Sequence, residues 1–149
     1  GRVRAARPGA GEGAVSADAA AADLRTFARI VPGTAVGEVA VDPADLLADW
    51  ADAFPDEPVG ETLPPGFLVA ILMRGYLTLT ADRKPAGNVH AGLDLSFGEP
   101  ARADRPVTVA IRVADAWRRN GRNRVRFALA CRQDGTLVLE GTSDVVWAA

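Results

Sequence analysis

Hydrophobic and polar positions follow three regimes along this chain. Residues 63–79, LPPGFLVAILMRGYLTL, run almost continuously apolar for about four helical turns, broken only by Arg74, Gly75 and threonines. A helix apolar on most faces must be buried on most faces, so this run predicts a central helix wrapped by other structure. Pro64 and Pro65 suit its start, where a missing N–H costs nothing. From residue 87 onward the pattern changes to that of strands: VHAGLDLSF, PVTVAIRVADAW, NRVRFALACR and TLVLEGTSDVVW, rich in β-branched and apolar residues and separated by Gly, Pro, Asn and Asp. In the second of these, Val107, Val109, Ile111 and Val113 share one face. Asn120-Gly121 predicts a two-residue hairpin, and Gln133-Asp134-Gly135 predicts the last one. Trp147 is expected to pack at an edge.

Ahead of the central run the pattern is mixed. Residues 33–41, GTAVGEVAV, read as a first strand. Asp42 is placed to cap a helix over 42–54, with Pro43 at its first position and Leu46, Leu47, Trp50 and Phe54 facing inward. A further helix is expected over 16–31, capped by Ser16 or Asp18. Leu24, Phe27 and Ile30 or Val31 form its apolar stripe, and Pro32-Gly33 ends it. Residues 1–15 carry no apolar period and read as a tail or linker. The class is therefore α+β, with 16–149 as one domain.

Composition narrows the function. Hydrophobic residues are 48% of 149, which excludes general disorder. A net charge of −2 gives no global reason to expect nucleic acid. The run at 63–79 is too short and too interrupted to span a membrane. No signal peptide is visible. Cys131 is the only cysteine, which rules out an internal disulfide and makes a cytoplasmic setting the simplest expectation. One histidine and one cysteine make a zinc site unexpected, and phosphate-binding glycine motifs are absent, so no metal or cofactor is expected.

Long antiparallel strands curling round one buried helix describe the hotdog fold. Within it, residues 33–147 resemble the MaoC-like family of (R)-specific enoyl-thioester hydratases and dehydratases. The similarity rests on VDPADLLADWADAFPDEP as the helix leading into the catalytic loop. It extends to GNVHAGLDLSF, which ends in the family's aliphatic-polar-Phe triplet, and to the turn built on Pro100, Ala101, Ala103 and Asp104. The resemblance implies a single curled sheet around the helix, pairing into dimers with the acyl cavity near the interface.

The family's catalytic loop carries an Asp, two residues, a Pro, an aliphatic residue and a His. Asp and His together activate a water for addition to the β-carbon of an enoyl thioester. Here Asp56 takes the Asp position, Pro58 and Val59 follow with one position deleted, and the His position falls on Gly60. Glu61 follows at once as a substitute carboxylate. The plain alternative is that Asp56 and Glu57 are solvated turn residues. Gly66 takes the place of the glycine whose N–H receives the thioester oxygen, with Pro65 where the family has a polar residue. The alternative is an ordinary helix-start glycine.

His90 is the only imidazole in the chain, so any histidine chemistry rests on it; a hydrogen-bonded structural histidine is the other reading. Arg74 is expected first to be buried against a carboxylate, next to emerge at the helix end, and third to bind an anion. Arg118, Arg119 and Arg122, with Arg124 and Arg126, form a guanidinium cluster. It suits coenzyme A or carrier-arm phosphates, or else a solvated sheet face.

Three functions follow. The first is a divergent lyase acting on an acyl thioester of coenzyme A or acyl carrier protein, using Asp56 with Glu61 or His90, and Gly66 as oxyanion donor. The second is a non-catalytic subunit that pairs with an active chain. The third is a thioesterase. A homodimer is expected, or a heterodimer with another hotdog chain.

Overall fold

The computed structural model describes residues 22–149. Its elements in chain order are β1 (Ala35–Val41), α1 (Leu47–Ala53), α2 (Pro65–Thr80), β2 (Val89–Phe97), β3 (Val107–Arg119), β4 (Arg122–Gln133) and β5 (Thr136–Trp147). The strands form one antiparallel sheet in the order β1-β3-β4-β5-β2, which leaves β1 and β2 at its edges.

The period-two pattern sets the two faces. Across β3, β4 and β5, Val113, Phe127 and Ser143 lie in one row, and Val109, Cys131 and Leu139 in another. Every one of these residues is buried. α2 lies on this inner face and contributes Phe67, Leu68, Ile71, Leu72 and Tyr76 to the same core. Burying one such side chain contributes about 1.5–3 kcal/mol, so this face dominates the fold's stability. Close contact is possible because position 75 is glycine: a Cβ there would lie 2.6–2.8 Å from the Val109 side chain. Both hairpins turn where the sequence predicts. Asn120 and Gly121 have φ of 52° and 75°, and Asp134 and Gly135 have 52° and 81°, the left-handed pairs that type I′ turns require.

Four expectations need correction. Residues 16–21 of the proposed N-terminal helix, and the 1–15 tail, lie outside the described residues. Residues 22–31 hold only a 3-10 turn at Phe27–Arg29. Their backbone groups are used elsewhere: Ala22 N–H donates to Ala35 C=O, Trp147 Nε1–H to Leu24 C=O at 3.0 Å, and Arg83 to Ala22 C=O. Leu24 and Ile30 are buried as the stripe predicts, but Val31 is 56% exposed. Second, the helix starting at Asp42 is split into a 3-10 turn, Pro43–Leu46, and α1. Asp42 Oδ1 accepts from Ala44 N–H, and Leu47 and Phe54 are exposed. Third, Trp147 is 2% exposed, held in the core by Phe127 and the Leu24 carbonyl. Fourth, Arg74 is exposed on α2, not buried against a carboxylate.

Candidate active site

Trp50 organises the start of α2. Its ring packs on Phe54 and Phe67, with centroids 4.5 and 5.2 Å away. Its Nε1–H donates to Glu57 C=O at 2.7 Å, which pins the 54–57 turn. The same ring lies 3.3 Å from where a Cβ on Gly66 would stand. One indole thus touches both the turn that carries Asp56 and the helix start at Gly66, ten residues further along the chain. Asp56 is exposed in that turn.

Gly66 occupies the first turn of α2, whose N–H groups have no intrahelical acceptor. The hydrogen bonds of this turn are Phe67 N–H and Leu68 N–H to Pro64 C=O, and Gly66 N–H takes part in neither. Pro64 and Pro65 carry no N–H to compete. What remains is one exposed backbone donor at the positive end of a sixteen-residue helix, suited to an oxyanion.

Glu61 belongs to a separate stretch of the loop. Its C=O accepts from Ala103 N–H at 2.8 Å, Thr62 bridges to Arg102, and Leu63 N–H donates to Ala101 C=O at 2.8 Å. Gln133, buried beneath, holds the other side of this strap: its Oε1 accepts from Arg102 N–H, and its Nε2–H donates to Arg102 and Arg105 C=O. Arg102 bonds Asp104 at 3.0 Å, and that guanidinium holds the Asp104 carboxyl below its usual range. Arg102 in turn is kept charged chiefly by Asp104 and to a smaller extent by Glu61.

His90 lies on the inner face of the edge strand β2, opposite Val145, just before a bulge. Its Nε2 shares a 2.9 Å hydrogen bond with Ser143 Oγ, a buried hydroxyl on β5. Residues 61–63, just ahead of Gly66, are bonded to residues 101–103, which follow Phe97 at the other end of β2. Among the described residues no hydrogen bond or ion pair joins Asp56, Glu61 and His90 to one another. Within one protomer Trp50 links the turn bearing Asp56 to the Gly66 helix start, and His90 lies near the far end of β2, bonded to Ser143.

Arg119 and Arg122 pair across the hairpin on the outer sheet face, and Arg118 pairs with Asn123 on the inner one. All three arginines are exposed. Arg124 and Arg126 continue the outer row; Arg126 is clamped to Asp144 at 2.6 Å and lies over Trp117. This cluster sits at the hairpin tip, on the opposite end of the sheet from Gly66. Arg74 projects from the exposed side of α2.

Sequence reasoning missed three participants. The roles of Trp50 as a shared support, of Ser143 as partner of His90 and of Gln133 as the lock on the strap depend on contacts between distant segments. The one local signal was Trp50, which the helix pattern already turned inward; Gln133 read only as part of the last hairpin turn.

Comparison with solved structures decides the architecture. A monoamine oxidase regulatory protein from Archaeoglobus fulgidus superposes with a TM-score of 0.67 at 15% identity, over 87% of this chain and 99% of that one. The fold is the hotdog fold. A MaoC-like dehydratase from Rhodospirillum rubrum shares this hotdog architecture at a TM-score of 0.58 and 21% identity, over 76% and 88% of the two chains. So does a thioesterase from Thermus thermophilus, solved with coenzyme A and zinc, at 0.55 and 16%, over 75% and 83%. No family model and no curated protein sequence matches the chain.

Proposed function

We propose that this hotdog chain is a divergent MaoC-like hydro-lyase acting on an acyl thioester carried by coenzyme A or an acyl carrier protein. The observation that carries this reading is that Trp50 supports both the turn bearing Asp56 and the start of the buried helix, where Gly66 N–H has no acceptor among the described residues. In hydration, the water oxygen bonds the β-carbon and the Cα=Cβ electrons move toward the thioester carbonyl. Gly66 N–H stabilises the oxygen as charge develops there. A base takes one proton from the water, and a proton is delivered to the α-carbon as the enolate collapses. The same group can serve both transfers, and dehydration is the reverse. Asp56, in the turn that Trp50 pins, is the carboxylate proposed for this task. The likeness to the Rhodospirillum dehydratase supports the acyl-thioester class.

Pairing is part of the proposal. β2 has a neighbour on one side only, and its apolar Leu93 and Phe97 are 40% and 50% exposed. An edge of this kind pairs with another strand edge, and a second copy is the simplest occupant. A cytoplasmic setting fits the lone, buried thiol of Cys131. A second reading has its own observation: Gly60 stands where the family's histidine would be, which suits a non-catalytic partner of an active hotdog chain.

The test is an assay of the purified protein with crotonyl, longer enoyl and 3-hydroxyacyl thioesters, following enoyl absorbance and free thiol in parallel. Enoyl turnover without thiol release is the expected result. Thiol release selects a thioesterase. Silence in both channels selects the partner-subunit reading.

A further inference from the structure

We propose that the histidine serving each site comes from the other protomer: the partner's His90 completes the Asp56–Gly66 end. This rests on the β2-to-β2 pairing and acyl-thioester reading above.

The inference follows from register. Two copies that pair through the same edge must run antiparallel, related by a two-fold axis. Inner faces must match inner faces, because a one-residue slip turns apolar side chains to the wrong side. On β2 the inner positions are His90, Leu93, Leu95 and Phe97, with the bulge between His90 and Gly92 absorbing one residue. A pairing centred on Asp94 sets two like charges directly opposite, which is unfavourable. Centring on Leu93 removes that clash and sets Asp94 against Gly92. The partner's His90 then falls opposite Leu95. Within one chain His90 and Leu95 are five residues but four register steps apart, about 13 Å along the strand, because the bulge absorbs one residue. The two-fold therefore carries an imidazole about 13 Å toward the Phe97 end of β2. From that end the chain enters the 98–104 strap, which is bonded to residues 61–63 just ahead of Gly66. Ser143 holds Nε2, and Nδ1 has no hydrogen bond among the described residues, so the ring is oriented with one nitrogen open to exchange a proton with water.

Two measurements test this. A His90→Cys/Leu95→Cys variant is oxidised and run without reductant. The two positions cannot meet within one chain, since bridged Cα atoms lie within about 7 Å. Cys131 is buried, with its thiol pushed up to about 12, so the new cysteines react. An interchain disulfide is expected, absent from each single variant. Its absence overturns the placement, whatever the assay gives. In the second, Asp56→Ala and His90→Ala proteins are unfolded, mixed and refolded together. Each alone is inactive; half the dimers are hybrids with one intact site, so about one quarter of the wild-type rate returns. No recovery, with wild-type protein active, overturns the shared site. An inert wild-type protein rejects the lyase reading instead, and the disulfide alone then decides the placement of His90.

Discussion

The indole of Trp50 donates its N–H to the carbonyl of Glu57 at 2.7 Å while its ring edge backs onto Gly66. The 54–57 turn and the helix start are therefore one unit, and Trp50 separates packing from hydrogen bonding. Trp50→Phe keeps an aromatic ring and drops the donor, and should lose about 1 kcal/mol in urea titration. Trp50→Ala also removes the ring and should lose about 3–5 kcal/mol. If the turn positions Asp56 for chemistry, Trp50→Phe lowers kcat by more than its stability loss requires. An unchanged kcat would return the turn to a purely structural role.

Gly66 offers a sharper comparison. Gly66→Ala adds a methyl 3.3 Å from the Trp50 ring, while the helix gains up to about 1 kcal/mol from losing a glycine. Melting should therefore move little. The methyl crowds the space beside the N–H where a thioester oxygen would sit, so turnover should fall at least tenfold with the fold intact. Equal activity would remove Gly66 from the site.

Gln133 fills three hydrogen-bond positions with one side chain, closing the strap that carries Glu61. Gln133→Leu leaves those backbone groups without their partner. The expected loss is about 1–3 kcal/mol in urea, because nearby Arg102 and Arg105 are exposed enough for water to replace part of it. Amide exchange at Arg102 should accelerate, and exchange at β4 core residues such as Leu129 should change only by the global loss.

The strands were legible because two short-range signals agree: Val107, Val109, Ile111 and Val113 alternate, and Asn120-Gly121 and Asp134-Gly135 supply the positive φ that tight hairpins need. The central helix was legible from its composition alone. Residues 22–31 were not, because a helical stripe at Leu24, Phe27 and Ile30 buries nearly the same side chains in an extended segment. What decides between them is Trp147 and Arg83, more than fifty residues away, taking the carbonyls of Leu24 and Ala22. Asp56 and Gly66 lie close enough in sequence for one motif to suggest both. His90 finds its place only through pairing register, a bulge and Ser143, none of which a one-dimensional pattern contains.

The Arg126–Asp144 pair predicts an acid-side signature. The guanidinium bonds hold the Asp144 carboxyl below its ordinary value, despite some opposing burial. A carboxyl depressed in the folded state stabilises above the unfolded value near 3.8, and that stabilisation is lost as pH falls through the folded one. Asp144→Asn should therefore lower Tm near pH 6, and the difference from wild type should shrink progressively as pH falls below 3.8. Parallel Tm curves across that range would mean that the pair adds nothing, as exposed ion pairs often do.

Gly75 and Val109 approach closely where the helix meets the sheet. A methyl at position 75 would stand 2.6–2.8 Å from three atoms of the Val109 side chain, closer than carbon atoms tolerate, and both residues are buried within rigid elements. Helix propensity alone would favour Gly75→Ala by about 1 kcal/mol. Overpacking should outweigh it and leave a net loss of about 1–3 kcal/mol. The pair should also be non-additive. Val109→Ala alone opens a cavity, and adding Gly75→Ala to it fills part of that space, so the double variant should be more stable than the sum of the two single losses predicts. Urea titration of the four proteins measures that coupling directly. Strict additivity would mean that α2 can move off β3 at no cost, and that the contact does not set the height of the helix above the sheet on which the Gly66 site is built.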